Sequence, residues 1–255
     1  MIRFSANLGL LWRELSLPAA IQAAADAGFD AVECHWPYET ESFAVKKALD
    51  RAKLPMLGIN TFPGDFAKGE RGLLALPDRR EEATAAINQA LSYAEKIECP
   101  RIHAMAGIAS GEIAHQCYVD NLNYAVEAAI RKNIVILIEP LNTFDNPGYF
   151  LTSTNQAVQI IDDIGSEHLK MLFDCYHISR MEGQVEDKLG ALLPYIGHVQ
   201  FASVPERNEP DTGEVDYSVV FSVINQLGYT EPLGAEYNPA GTTAEGLGWM
   251  KTLIS

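Results

Sequence analysis

Short apolar runs alternate with longer amphipathic stretches from one end of this chain of 255 residues to the other. No other feature restricts the fold as strongly, because a period that switches repeatedly between strand-like and helix-like patterning specifies repeated strand–helix units. Eight runs read as strands: 2–8, 30–35, 55–61, 101–107, 134–140, 169–175, 196–202 and 232–238. Most are β-branched or uniformly apolar, as parallel strands covered on both faces must be. The intervening segments 17–27, 40–52, 78–97, 112–132, 153–164, 184–193, 217–227 and 242–253 read as helices. Ser16 before Leu17-Pro18, and Thr152-Ser153-Thr154 before Asn155, supply capping residues where helices should start. Gly28 and Gly228 fall where two of the helices should stop.

Eight units with no linker and no break in composition predict a single α/β domain over residues 1–255, a closed (β/α)8 TIM barrel. An open doubly wound sheet is the other arrangement of such units, but no GxGxxG follows the first strand to mark a dinucleotide site. The stretch 64–77, after the third strand, is long for a connection and reads as an active-site loop.

Charge narrows the partners. With 34 acidic and 19 basic side chains the formal net charge is −15, whereas nucleic-acid binding needs a basic surface that displaces phosphate counterions. Nucleic acids and anionic membranes are therefore not expected partners, and a small-molecule substrate is. Cys34, Cys99, Cys117 and Cys175 form no CxxC pair and read as buried thiols. The apolar run near Leu8–Trp12 is broken at once by Arg13 and Glu14, and no stretch is long enough to span a bilayer. A cytoplasmic location is expected.

In a barrel of this kind the active site lies at the C-terminal ends of the strands. The last four strands end with Glu139 in IEPLN, Asp174 in FDCYH, Gln200 in HVQFA and Glu236 in GAEYN. Three carboxylates brought together at one mouth repel unless protons or a cation neutralise them. An all-oxygen set suits one divalent cation, Mg²⁺ or Mn²⁺, better than Zn²⁺, which recruits His and Cys. Taken singly, each acid could equally form a salt bridge at the barrel rim; their joint placement argues for a metal site. The second strand adds Glu33 and His35, and the fourth His103; His103 and His198 lie within strands and read as core or supporting residues.

The strings PGDFAKGERG (63–72), IEPLNTFDNPGYFLTST (138–154), FDCYHISRMEG (173–183), GHVQFA (197–202) and GAEYNP (234–239) resemble the hydroxypyruvate isomerase family of the xylose isomerase-like barrels. Relatives in that family include 2-oxo-tetronate isomerases. The resemblance spans nearly the whole chain and implies metal ligation by Glu139, Asp174, Gln200 and Glu236, with Glu139 and Glu236 as the proton donor/acceptor pair. Gln200 is informative, because the related ketose 3-epimerases usually carry His there. Two departures, His35-Trp36 after the second strand and Ser203 where the family often has Asp, bear on the pocket and hence on the substrate.

The implied reaction is an aldose–ketose isomerisation beside a carboxylate: hydroxypyruvate to tartronate semialdehyde, or the analogous 2-oxo-tetronate, through an enediolate. Arg71 in GERG offers a planar fork for the substrate carboxylate, with Glu70 beside it either orienting that fork or solvated. His177, Arg207 and His35 are further substrate-contact candidates, and Trp12, Trp36, Phe62 and Phe66 are candidates for an aromatic roof. Two readings compete in the same fold: a ketose 3-epimerase or sugar isomerase, and an endonuclease built on a His-rich metal cluster. A non-catalytic metabolite-binding barrel is the alternative of another class, though it would be expected to lack one of the two glutamates. Barrels of this kind often self-associate, so a homo-oligomer is within expectation.

Overall fold

The computed structural model of the chain describes residues 2–253. All eight expected strands form: β1 (Phe4–Asn7), β2 (Ala31–Glu33), β3 (Ile59–Asn60), β4 (Arg101–His103), β5 (Val135–Ile138), β6 (Leu169–Asp174), β7 (Ile196–Phe201) and β8 (Leu233–Ala235). They pair in parallel in the order β2-β1-β8-β7-β6-β5-β4-β3. The seam between β2 and β3 is closed by Val32 bridging Met56, and by Leu57 N–H donating to Val32 O at 2.7 Å and Asn60 N–H to His35 O at 2.7 Å. The result is a TIM barrel.

The helices are α1 (Leu17–Asp26), α2 (Ser42–Ala52), α3 (Arg80–Ile97), α4 (Glu112–Ile130), α5 (Thr154–Ile164), α6 (Cys175–Met181), α7 (Val185–Leu192), α8 (Tyr217–Gln226) and α9 (Trp249–Thr252). Ser153 caps α5, its Oγ accepting from Gln156 N–H at 3.2 Å. Ser16 occupies the N-cap of α1 but its side chain makes no capping bond; Pro18 in the first turn fixes the entry instead. Gly28 and Gly228 follow α1 and α8 with φ of 90° and 74°, the left-handed region that ends a helix at little cost to glycine.

Two elements differ from expectation. Helix α6 starts directly from the last residue of β6, because Asp174 Oδ1 accepts Tyr176 N–H at 2.9 Å and serves as its cap. The expected helix over 242–253 shrinks to α9, since Gly246 and Gly248 weaken the preceding turns and Gly246 is pressed against Glu209. Helix α9 is still held firmly. Trp249 is fully buried, packs edge-on against Phe4 at 4.9 Å and donates its indole N–H to Tyr237 at 3.0 Å. With Phe201 and Phe221 these rings make an aromatic cluster between β1, β7 and α8.

All four cysteines are buried and free. Among the described residues no helix is long and apolar enough to cross a membrane.

The 64–77 segment folds back over the barrel mouth and then into the core. Its pivot is a close approach of two glycines, Gly72 (φ 125°) and Gly107 (φ 100°). A Cβ on Gly72 would lie 2.4 Å from Met105 O, and one on Gly107 2.4 Å from Gly72 O. Beyond this pivot Leu73, Leu74 and Ala75 are buried, with Ala75 N–H donating to Ala106 O at 2.7 Å. Before it, Phe66 and Arg71 are left over the mouth.

Candidate active site

The strand ends place Glu139, Asp174, Gln200 and Glu236 at the C-terminal mouth, all buried. Asp174 is the register partner of Gln200, and Gln200 that of Gly234, so the last three donors sit on adjacent strands. Glu139, Asp174 and His177 bring one ligand-type atom each to within 4.8 Å of one another. Arg207 Nη2 stands 3.7 Å from Asp174 Oδ2 and 3.3 Å from Glu236 Oε1, linking Glu236 to the group.

A cavity of about 220 Å³ opens above them, lined in part by Glu139, Glu236, His177, Arg207, His35 and Arg71. Gln200 faces a smaller cavity of about 20 Å³, which shares Asn60 and His103 with the larger one.

Among the described residues Glu139 Oε1, Asp174 Oδ2 and Gln200 Oε1 are buried without a hydrogen-bond partner. Such oxygens cost free energy unless a cation or donor meets them. That one oxygen from each of three neighbouring side chains is left this way fits a hard divalent cation. The electrostatics agree. Burial, then the neighbouring Glu236 and Asp174 charges, push the Glu139 carboxyl well above its usual range. Burial also lifts Asp174 to about 7, against the opposing pull of Arg207. For Glu236 burial acts upward too, but the hydrogen bond from His35 and the Arg207 charge outweigh it and the carboxyl is held low.

The same geometry decides what His177 can do. Its Nδ1 accepts from Asn142 backbone N–H at 3.1 Å and faces Asn142 Nδ2 at 2.7 Å. Burial, Arg207 and His103 hold the ring well below its ordinary pKa, so it is neutral. A neutral imidazole with Nδ1 accepting carries its proton on Nε2. That proton points to Asp174 Oδ2 at 3.6 Å and Glu139 Oε1 at 3.9 Å. In this arrangement His177 offers a donor toward Glu139 and Asp174. Asn142, in IEPLN, is the residue that sets this role, and sequence reading did not single it out.

The other expected residues distribute unevenly. His35 Nε2 lies 2.8 Å from Glu236 Oε1, with its ring packed on Gly9 so closely that a Cβ there would be 2.3 Å from Nδ1. Arg71 has no carboxylate partner among the described residues: it stacks on Phe66 at 3.9 Å and donates to Phe66 O and Glu70 O. Glu70 does not line the cavity. It pairs with Arg79 at 2.8 Å and accepts Asp65 N–H at 2.6 Å, contacts that brace the loop. Arg207 faces the cavity from a left-handed backbone (φ 57°), its guanidinium 5.0 Å over the Tyr176 ring.

Trp36 and Phe66 form the roof, 4.9 Å apart. Trp12 is instead buried against Phe29, and Phe62 points to solvent. Ser203 does not line the pocket: it is fully buried and its Oγ accepts Asn208 N–H at 2.9 Å. His103, placed as a supporting residue, sits with Nδ1 3.3 Å from Glu139 Oε2. Burial lowers it to about 4.

Comparisons with known proteins place this architecture. The chain matches the model of the xylose isomerase-like TIM barrel family over residues 21–253. A 2-oxo-tetronate isomerase of Cupriavidus necator is 43% identical, the match covering 100% of this chain and 99% of that protein. A hydroxypyruvate isomerase of Escherichia coli is 41% identical, with 98% of each chain covered. A crystal structure from Brucella melitensis, described as an AP endonuclease of family 2, superposes with a TM-score of 0.95 at 36% identity and 99% coverage of both chains. Full-length identity at this level, on a barrel with buried carboxylates at its strand ends, means that the chain belongs to the hydroxypyruvate isomerase family of the xylose isomerase-like TIM barrels, a family of aldose–ketose isomerases.

Proposed function

We propose that this protein is a divalent-metal-dependent isomerase that interconverts hydroxypyruvate and tartronate semialdehyde, or acts on the analogous 2-oxo-tetronate, with Glu139 and Glu236 as its proton-transfer groups. The observation that carries the reading is the trio of buried, unpartnered oxygens on Glu139, Asp174 and Gln200, beside a cavity into which both glutamates face. Glu139, Asp174, Gln200 and Glu236 are the residues that would hold Mg²⁺ or Mn²⁺. When bound, such a cation supplies Lewis-acid stabilisation of the negative charge that develops on the substrate's oxygens.

The remaining work falls to side chains. A glutamate takes the C3 proton of hydroxypyruvate to give an enediolate, the hydroxyl proton passes from the C3 oxygen to the C2 oxygen, and a proton delivered to C2 gives tartronate semialdehyde. Glu236 is held ionised by His35 and Arg207 and is suited to accept that proton. Glu139 is backed by His103 at 3.3 Å. His177 Nε2–H and Arg207 offer donors toward the oxygens on which charge accumulates. Arg71, with its guanidinium unpaired by any carboxylate, is the group for the substrate carboxylate. Trp36 and Phe66 shield the cavity from water.

The net charge of −15 disfavours an endonuclease reading, as does the Glu139–Asp174–His177 group, which holds one histidine that is already committed as a donor. The test is to strip the protein with a chelator and assay hydroxypyruvate, a 2-oxo-tetronate and free ketoses with and without Mg²⁺ or Mn²⁺. Metal-restored turnover of an oxo acid supports the proposal and ranks the substrates. Turnover of ketoses alone would move the protein to the epimerases.

A further inference from the structure

Beneath the strand ends lies a buried charged network that the reaction does not use. Glu33, at the end of β2, is buried inside the barrel. Its Oε1 accepts from the Ser5 hydroxyl and faces His198 Nε2 at 3.0 Å. Its Oε2 accepts from Gln200 Nε2 at 2.6 Å. Gly234, on β8, leaves the room for this: a Cβ there would lie 2.5 Å from Glu33 Oε1 and 2.7 Å from Gln200 Cγ.

A carboxamide has two faces of nearly equal shape and opposite polarity. Nothing in the shape of Gln200 decides which end meets a cation. Glu33 Oε1 already meets the Ser5 hydroxyl and His198 Nε2, and its Oε2 accepts the Gln200 amide N–H at 2.6 Å, which leaves Gln200 Oε1 as the free end. That oxygen is the one found buried and unpartnered.

We propose that Glu33 is a positioning residue for the metal site, fixing the amide of Gln200 so that its carbonyl oxygen, and not its NH₂, is offered to the cation. The inference rests on the metal-dependent reading above. Partners behind a ligand that set its orientation typically govern metal affinity by roughly 10- to 100-fold.

The arrangement predicts an unusual response to substitution. In Glu33→Gln the new side chain must keep its oxygen toward the Ser5 and His198 donors, so its NH₂ faces Gln200. Gln200 must then turn over, presenting NH₂ to the cation. The swap Glu33→Gln/Gln200→Glu restores a donor–acceptor match: the amide introduced on β2 donates to one oxygen of the carboxylate introduced on β7 and leaves the other free.

The experiment is Mn²⁺ titration of chelator-treated protein by calorimetry, with melting of the metal-free forms recorded in parallel. Wild type is expected to bind, and Glu33→Gln to lose about 10- to 100-fold in affinity. The swap should regain most of that loss. Glu33→Asp, which keeps the charge but shortens the reach to Gln200, should also bind more weakly; with the swap, it decides the matter if Glu33→Gln does not fold. Wild-type affinity in folded Glu33→Gln or Glu33→Asp, or no recovery in the swap, overturns the positioning role while leaving the metal site standing. Absence of Mn²⁺ binding by wild type overturns both.

Discussion

Replacing Asp174 by Asn should make the metal-free protein more stable while destroying the proposed metal site, and the size of the gain should depend on pH. Asp174 is buried beside Glu139 and within reach of Arg207, and its carboxyl is raised from 3.8 to about 7 in the folded protein. A carboxyl raised on folding contributes stability that is present below its unfolded pKa and is lost as pH climbs through the folded one. A rise from 3.8 to about 7, at about 1.36 kcal/mol per pH unit, gives a penalty on the order of 4 kcal/mol near pH 8. The substituted amide remains neutral and can still cap α6 by accepting Tyr176 N–H, as Asp174 Oδ1 does at 2.9 Å. For a chain of this length 1 kcal/mol corresponds to roughly 2–4 °C in melting temperature. The metal-free variant should therefore melt roughly 8–16 °C above metal-free wild type near pH 8, by a little under half as much near pH 5, and almost level with it near pH 4. Saturating Mg²⁺ or Mn²⁺ should reverse the order near pH 8, because only wild type gains binding energy. Differential scanning calorimetry with and without chelator reads all of these. A metal-free Asp174→Asn that melts below wild type at every pH would refute the argument that these acids repel one another in a site kept for a cation.

Glu139→Gln and Glu236→Gln should each lower kcat by about 10²–10⁴-fold, the usual contribution of a positioned acid or base, measured in steady state with saturating Mn²⁺. Arg71→Leu should raise KM for hydroxypyruvate by roughly 10- to 100-fold, equivalent to losing about 1.5–3 kcal/mol of charged hydrogen bonding; an unchanged KM would remove Arg71 from the carboxylate site. Gly72→Ala forces a Cβ to 2.4 Å from Met105 O at a φ of 125°. It should cost about 2–4 kcal/mol in denaturant unfolding and raise KM as well, since Arg71 is its neighbour. Binding of Mn²⁺ near pH 6 should release protons, because Glu139 and Asp174 hold theirs in the metal-free protein. Calorimetry in two buffers of different ionisation enthalpy should then give different apparent heats, and identical heats would count against protonated carboxylates.

The barrel was legible because parallel strands covered on both faces leave uninterrupted apolar runs, and the rule that active sites lie at strand C-termini turned that pattern into a short roster of residues. Glu139, Asp174, Gln200 and Glu236 follow from those two facts. What the residues do to one another was not legible, because it depends on contacts between distant parts of the chain. Glu33 meets His198 and Gln200 across the barrel interior, from a strand separated from β7 by β1 and β8. Glu70 sits beside Arg71 in sequence yet is captured by Arg79, a choice made by loop curvature and not by adjacency. Helix α6 escaped notice because its capping residue is also the last residue of β6, so no polar gap separates the two elements.

That double use of Asp174 ties the local fold to the chemistry. One oxygen is committed to the helix and the other is left bare, so the carboxylate is held in a single orientation before any cation arrives. Gln200 is constrained in the same way by Glu33, and Glu236 by His35 and Arg207. His177, which faces both Glu139 and Asp174, has its Nδ1 acceptor taken by Asn142. The donor set of the proposed site is then all oxygen, with Asp174, Gln200 and Glu236 each held by a partner on another element. Such a set favours Mg²⁺ or Mn²⁺ over the softer, nitrogen-preferring ions. It also leaves His177 and Arg207 as the groups able to donate to an anionic intermediate.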